Sequence, residues 1–233
     1  MDDLTPALLR FVMLLPVFVP AIVIHEYAHA WVAYRCGDMT AKEEGRLTLD
    51  PLVHFEFMGS AMFFVSTMTG VGFGWAKPVP VTFSNLQGGL RDIVRVAAAG
   101  PATNVVQAIG WVALLGLLRL ALGRDAMAEH FYSGLDLPSN LPGYAVWIAL
   151  YGLLINLSLT LFNLMPIPPL DGGRIAVATL RYPLSHYLAQ LEPIGPFLIF
   201  ILLQSPPFGL GVFQAVGAPI FGFVMQNLAR LLT

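Results

Sequence analysis

The sequence predicts an all-α membrane protein, a polytopic bundle of transmembrane helices. Of its 233 residues, 57% are hydrophobic and only 11% are charged, whereas soluble domains carry roughly 25% charged residues. Several apolar stretches reach the length of about 20 residues with which a helix crosses a bilayer. The formal net charge is only −2, so no nucleic-acid partner is expected. The lipid bilayer is the partner that this composition does predict.

Six apolar segments justify the bundle. The first is preceded by Asp2 and Asp3 rather than by basic residues, which argues against a cleaved signal peptide. The third and fourth are long enough to cross a membrane as helices, whereas prolines and glycines interrupt the last two. The segments run from about 11 to 33, 58 to 75, 93 to 122, 143 to 165, 194 to 204 and 212 to 232.

The second apolar segment is short and rich in glycine, and it runs into GWAKPVPV, residues 74–81. Alternating prolines favour an extended backbone in this stretch. Residues 58–83 are therefore predicted to form either a short span or a short re-entrant or β-hairpin element.

The polar connections between the apolar segments are too short to form a separate soluble domain. We therefore predict one membrane-embedded domain over residues 1–233, with a core at about 11–180 and additional C-terminal membrane segments at about 194–232. Three basic residues follow the first segment closely, which favours a cytoplasmic loop at 35–56. They are Arg35, Lys42 and Arg46.

The stretch AIVIHEYAHAWVAY, residues 21–34, places His25, Glu26 and His29 inside the first apolar segment. Positions i and i+4 share one helix face, so the two histidines can converge on one ion with the glutamate beside it. Zinc suits these ligands, and a carboxylate base such as Glu26 takes the proton of its bound water. The alternative is polar helix packing, but an ionisable side chain at bilayer depth costs at least ~2.5–3.5 kcal/mol and generally marks function.

A third ligand is predicted in NLMPIPPLDGGR, residues 163–174. Its prolines unwind the backbone and its paired glycines allow a close approach. Irregular backbone at membrane depth is tolerated only where it is buried or lines a water-filled cavity. Asp171 lies in this stretch and can complete a His-His-acid zinc site. The alternative is a surface loop in which Asp171 caps the next helical turn.

Together, HEYAH, AAAGPATN and NLMPIPPLDGG resemble the motifs of the site-2 protease family of intramembrane zinc metalloproteases. The resemblance covers about residues 20–180. It implies one Zn²⁺ per chain held by His25, His29 and Asp171, with Glu26 activating water. It also implies that Asn163 helps to hold substrate or to polarise the scissile carbonyl.

The resemblance implies a function as well as a site. A member of this family would hydrolyse a peptide bond within or next to a transmembrane segment of another membrane protein. The chain has no room for a PDZ or CBS module, so it is similar to compact bacterial members, and we expect a multi-pass protein of the bacterial cell (inner) membrane. The alternative function is a metal-binding transporter or scaffold, for which Glu26 would not be needed as a base.

Two further residues are weaker candidates. The GPATN segment resembles the family motif at the start of the central core helix, where Asn104 would serve catalysis or simply form an interhelical hydrogen bond. His54 would act as a gate or an extra metal ligand, or else as a locally hydrogen-bonded interfacial side chain. In the family, the helix of HExxH runs parallel to the helix of the DG motif, with one antiparallel helix between them. That order favours a re-entrant path for residues 58–83.

Overall fold

The structure is a computed structural model that describes residues 5–68, 74–133, 136–195 and 217–232. Every regular element in those residues is helical, as the sequence predicted. The α-helices are α1 (Thr5–Arg35), α2 (Thr40–Glu43), α3 (Phe57–Met68), α4 (Leu90–Leu122), α5 (Arg124–Tyr132), α6 (Leu141–Asn163), α7 (Asp171–Thr179), α8 (Leu184–Ala189) and α9 (Ala218–Leu232). Short 3₁₀ turns lie at Pro51–His54, Phe83–Asn85 and Glu192–Ile194.

Three helices, α1, α4 and α6, are long and apolar enough to cross a membrane. Helices α1 and α4 pack antiparallel. As residue numbers rise along α1, the residues that they contact in α4 have lower numbers. His25 of α1 contacts Asn104 of α4, and His29, one turn later, contacts the earlier residue Val96. These contacts also place the two histidines against the middle helix of the three.

The third long helix, α6, packs against α4 and also contacts α1. Asn156 of α6 contacts Asn104, and Gly152, one turn earlier, lies against the ring of Trp111, where a Cβ would collide with the indole. A small residue at a membrane helix interface allows such close packing. Helix α6 is therefore antiparallel to α4 and parallel to α1, the order that the family resemblance led us to expect.

Helix α3 is too short to cross a bilayer. Its 12 residues span about 18 Å, well short of the ~30 Å hydrocarbon core. Near its start, a Cβ on Gly59 would collide with the carbonyl oxygen of Trp75, which follows the helix. Trp75 therefore lies beside the first turn of α3, and the re-entrant path of residues 58–83, part of which falls outside the described residues, stays a prediction. Phe63 stacks on Phe18 with ring centroids 3.9 Å apart and fastens α3 to α1.

The β-hairpin alternative is not found in the described part of this region. Residues 74–81 have no regular secondary structure, and the described residues contain no strand for them to pair with. At the C-terminus, α9 falls within the predicted segment 212–232 and packs against α4 and α5. Most of the predicted segment 194–204 lies outside the described residues.

A buried carboxylate joins the two polar connections that flank α3. Asp38 Oδ1 accepts hydrogen bonds from Thr40 N and Oγ1 and from Asn85 Nδ2, and its Oδ2 accepts one from Thr82 N at 2.8 Å. Burial acts to raise the pKa of Asp38, but these hydrogen bonds outweigh it and hold the pKa below its usual value. The cluster fixes the chain on both sides of residues 74–81.

We expect Asp38→Asn to destabilise the fold in a pH-dependent way. The folded-state pKa of Asp38 lies below the unfolded value of about 3.9, so its contribution is present above that value and disappears as the pH falls through the folded-state pKa. At pH 7 the variant should lose about 1.5–3 kcal/mol in unfolding free energy, because it disrupts hydrogen bonds to a buried charge. Unfolding in detergent at pH 7 and below pH 4 measures this.

The matched control is Asp50→Asn, which alters an exposed carboxylate that accepts a hydrogen bond only from Leu52 N in its own turn. It should have little effect at either pH. An Asp38→Asn deficit that stays the same at low pH would contradict the assigned role of the charge.

Candidate metal centre

Asp171 lies directly after a break between two helices. Helix α6 ends at Asn163, residues 164–170 form irregular turns, and Asp171 is the first residue of α7. Pro166, Pro168 and Pro169 lie in the break and lack the N–H groups that a continuing helix needs. The predicted unwinding of this stretch is therefore confirmed.

Paired glycines bring the start of α7 back against the break. A Cβ on Gly172 would collide with the carbonyl oxygen of Leu164, and a Cβ on Gly173 would collide with the backbone of Pro168. Because neither residue has a side chain, the backbone folds tightly enough to turn Asp171 into the bundle, where it is 6% exposed.

Three side chains meet inside the bundle: His25, His29 and Asp171. Each histidine Nε2 lies 3.3 Å from Asp171 Oδ2, and the two Nε2 atoms lie 3.0 Å apart. Among the described residues, this is the one group of three metal-ligating side chains within 4.8 Å of one another. The structure thus brings together the three ligands that the sequence singled out.

Hydrogen bonds on the far side of each ring determine what faces the centre. His29 Nδ1 lies 2.7 Å from the carbonyl oxygen of Val96, and His25 Nδ1 lies 2.6 Å from Asn104 Oδ1. Both oxygens accept, so each Nδ1 carries a proton, and a ring that is neutral in this arrangement turns a bare Nε2 inwards.

With both rings neutral, the centre holds three facing electron pairs and no hydrogen-bond donor. Asp171 Oδ2 is buried and has no hydrogen-bond partner, and two imidazole lone pairs face it. Such a cluster is electrostatically unfavourable unless a cation lies among the three atoms. Two imidazole nitrogens and one carboxylate oxygen are a donor set of catalytic zinc, so the residues present fit a zinc ion.

Glu26 stands beside the centre and is half-buried. Its Oε2 accepts a hydrogen bond of 2.9 Å from the backbone N–H of Val79, in the extended stretch 74–81. That stretch is itself held by Arg46, whose Nη2 donates to the carbonyl oxygens of Lys77 and Pro78 at 2.7 and 3.3 Å. The carboxylate of the candidate base is therefore oriented by a segment outside its own helix.

Two other predicted residues lie outside the group of three. His54 is buried, and its Nε2 donates to the carbonyl oxygen of Thr48 at 2.8 Å while its Nδ1 has no hydrogen-bond partner. Asn163 is the last residue of α6, and its Nδ2 donates to the carbonyl oxygen of Leu159 at 3.0 Å. Neither makes a hydrogen bond to the three clustered side chains.

The GPATN motif is displaced from its expected position. We expected Gly100 and Pro101 at the start of the central helix, but α4 begins at Leu90 and both residues lie in its interior. Proline is tolerated inside a membrane helix because neighbouring groups satisfy the freed backbone. Gly100 instead makes room for the site: a Cβ there would collide with His29 Nε2 and lie 2.5 Å from His25 Nε2.

We predict that Gly100→Ala weakens zinc binding without unfolding the protein. The added methyl would occupy the space of the two imidazole nitrogens and push the rings out of position, so we expect a loss of at least about tenfold in zinc affinity. Competition with a chromogenic chelator measures it. Gly110→Ala is the control, because a Cβ on that glycine of the same helix meets nothing within 4 Å. Equal zinc affinities for the two variants would refute the assigned contact.

The fold and the site define a class: a metallopeptidase built into a bundle of membrane helices. Comparison with known proteins agrees. The family model described as "Peptidase family M50" matches residues 139–202. The chain is 38% identical, over 84% of its own length and 83% of the relative's, to the "Putative zinc metalloprotease YwhC" of Bacillus subtilis. It is 31% identical to the "Putative zinc metalloprotease Rip2" of Mycolicibacterium smegmatis, over 88% of its own length and 72% of the relative's.

These similarities extend well beyond the HExxH segment. The chain belongs to peptidase family M50, the site-2 protease family. No solved structure matches it.

Proposed function

We propose that this protein is an intramembrane zinc metalloprotease that hydrolyses a peptide bond within or next to a transmembrane segment of another membrane protein. One Zn²⁺ per chain would be held by His25, His29 and Asp171. The observation that carries the proposal is the convergence of these three buried metal-ligating side chains among helices apolar enough to cross a membrane.

Bound zinc supplies Lewis-acid activation of water and of the substrate carbonyl. The protein's own residues handle the protons. Glu26 accepts one proton from the attacking water and returns a proton to the amine that leaves when the C–N bond breaks. Water thus contributes a hydroxyl to the new carboxyl group and a hydrogen to the new amine. The Val79 N–H holds Glu26 Oε2, which leaves the other carboxylate oxygen for this exchange.

The substrate must be unwound before it reacts, because a helix engages its carbonyl groups in internal hydrogen bonds. The extended stretch 74–81 is well placed to receive such a segment, since it carries the N–H that binds Glu26. Between Lys77 and Pro80, however, no N–H group is available. The N–H of Lys77 donates to the carbonyl oxygen of His54, the N–H of Val79 donates to the carboxylate of Glu26, and Pro78 and Pro80 have no N–H. We propose that carbonyl groups of residues 74–81 accept hydrogen bonds from the substrate backbone, and that Asn163 at the end of α6 is a further contact.

We also propose a multi-pass orientation in a bacterial cell membrane. Support comes from the three long apolar helices and from the bacterial sources of the relatives. Substrate would then enter from the lipid, as another membrane protein.

The test of the proposal is Glu26→Gln. The amide keeps the size of the side chain but cannot take a proton, so we expect cleavage of a panel of transmembrane peptides to fall by at least about 10²-fold, while zinc content stays close to one per chain. Peptide cleavage in detergent and metal analysis of the purified protein measure both quantities.

Glu44→Gln is the matched control, because Glu44 is exposed in the polar connection and its loss should leave both quantities unchanged. A parent protein that binds zinc but cleaves none of the peptides would count against the protease. Equal cleavage by the parent and by Glu26→Gln would remove Glu26 as the base.

A second test separates orientation of the base from binding of the metal. Arg46→Ala removes the donor that holds Lys77 and Pro78, so Val79 should no longer fix Glu26, and cleavage should fall by about 10–100-fold through misplacement of the base. Zinc affinity should not change, because none of these residues belongs to the cluster of three. Lys42→Ala is the control: its amine is exposed and donates only to the Tyr34 hydroxyl. A parallel loss of zinc in Arg46→Ala would contradict this assignment.

A further inference from the structure

A buried amide of α4 stands behind the first metal ligand. Asn104 is 0% exposed, and its Oδ1 lies 2.6 Å from His25 Nδ1. Its Nδ2 donates to the carbonyl oxygen of Ala21 at 3.1 Å and to Asn156 Oδ1 at 2.9 Å. The side-chain amide of Asn104 therefore joins the helices α1, α4 and α6 at one point.

A second buried amide completes the connection. Asn156 is also 0% exposed, and its Nδ2 donates to the carbonyl oxygen of Gly152, one turn earlier in α6, at 2.9 Å. Sequence reasoning missed this residue. The available signal was a lone amide inside the apolar run LLINLSL, residues 153–159, because polar side chains inside membrane helices are rare without a partner.

Two main-chain carbonyls fix the direction of every hydrogen bond in this chain. A carbonyl oxygen can only accept. The Gly152 carbonyl therefore orients the Asn156 amide so that Asn156 Oδ1 faces Asn104. The Ala21 carbonyl and Asn156 Oδ1 are both acceptors, so both must face Asn104 Nδ2. Asn104 Oδ1 then remains to accept the hydrogen bond from His25 Nδ1. Reversing either amide would place two acceptors or two donors against each other without water to relieve them.

The second histidine has no such arrangement. His29 Nδ1 donates directly to the carbonyl oxygen of Val96, an acceptor whose polarity cannot be reversed. His25 depends instead on a side-chain amide, which could present either an oxygen or an NH₂ group. An NH₂ group there would require a bare Nδ1 on His25 and would put the ring proton on Nε2, facing Asp171.

We propose that Asn156 is a positioning residue for the metal site. Through Asn104, it holds His25 in the tautomer whose bare Nε2 faces Asp171 and His29. This inference rests on the proposed zinc site and names a residue of α6 that forms no hydrogen bond to any of the three ligands. The zinc affinity of the site therefore depends partly on a side-chain amide of α6, the third long helix.

The experiment measures the zinc dissociation constant of the purified full-length protein by chelator competition, beside the thermal unfolding midpoint of the zinc-free form. Outer partners of metal-bound histidines typically contribute about 10–100-fold to metal affinity. We expect a loss in that range for Asn104→Leu and a loss of about tenfold for Asn156→Leu. The matched control is Thr160→Val: Thr160 is buried in the same helix, and its hydroxyl bonds only the Asn156 carbonyl oxygen. Its zinc affinity should equal that of the parent.

The double variant Asn104→Leu/Asn156→Leu distinguishes positioning from general support of the fold. If Asn156 acts through Asn104, the double variant should bind zinc as weakly as Asn104→Leu alone, because the second change has nothing left to act on. Two losses that multiply would overturn the proposal. If Asn156→Leu does not fold, Asn156→Ser replaces it, since serine is tolerated by bonding its own helix and is too short to reach Asn104.

The outcomes also separate this inference from the function on which it rests. Zinc binding by the parent with unchanged affinity in the Asn156 variants would overturn the inference alone. A folded parent that binds no zinc would overturn the zinc site, and the inference would fall with it. A tenfold loss in Asn156→Leu with an unchanged unfolding midpoint, absent in Thr160→Val, is the expected result.

Discussion

The structure depends on one electrostatic constraint: two imidazole nitrogens and one carboxylate oxygen converge in the interior, 3.0–3.3 Å from one another. In a medium of low polarity such a cluster is unfavourable unless a cation occupies its centre. The surrounding architecture serves to keep the three atoms together. Gly100 leaves space for the rings, Gly172 and Gly173 let the start of α7 fold inwards, and hydrogen bonds behind both rings hold their protons away from the centre.

The polar groups of the interior form a continuous set that extends across all three long helices. It runs from the Gly152 carbonyl through Asn156 and Asn104 to His25, while His29 is held separately by a main-chain carbonyl. Buried amides are costly when their donors or acceptors lack partners, and every member of this set has one. The same bonds fix the register between the helices, because an amide that reaches across an interface is satisfied at one relative depth only. Packing of the bundle and orientation of the metal ligands are thus two results of one set of contacts.

The candidate base is controlled from a different part of the chain. Glu26 belongs to α1, but its carboxylate is held by Val79 in the extended stretch 74–81, which Arg46 and the Asp38 cluster secure from outside the bundle. The candidate metal ligands therefore rely on the three long helices and the start of α7, whereas orientation of the base relies on the polar connections on either side of α3. Two proline-containing irregular segments, 74–81 and 164–170, border the site, and in a membrane such backbone is tolerated where protein or water surrounds it. Under the proposed function, this is where an unwound substrate segment would meet the metal ligands and the base together.

The sequence alone determined the all-helical membrane class, the pairing of His25 with His29, the choice of Asp171 and the break before it. Most of these features follow from local rules, namely the i to i+4 geometry of a helix, the length of a membrane span and the effect of proline on backbone hydrogen bonding, whereas Asp171 was chosen over a surface-loop alternative by the family resemblance. Tertiary structure decided the rest. Asn104 lies 79 residues from its partner His25 and 52 from Asn156, and the GPATN motif proved to be in the interior of α4, where Gly100 accommodates the rings. Which groups meet across helix interfaces is set by packing and register rather than by any local pattern, so Asn156, the Val79 N–H and the return of the chain beside Gly59 became visible only when the helices were assembled.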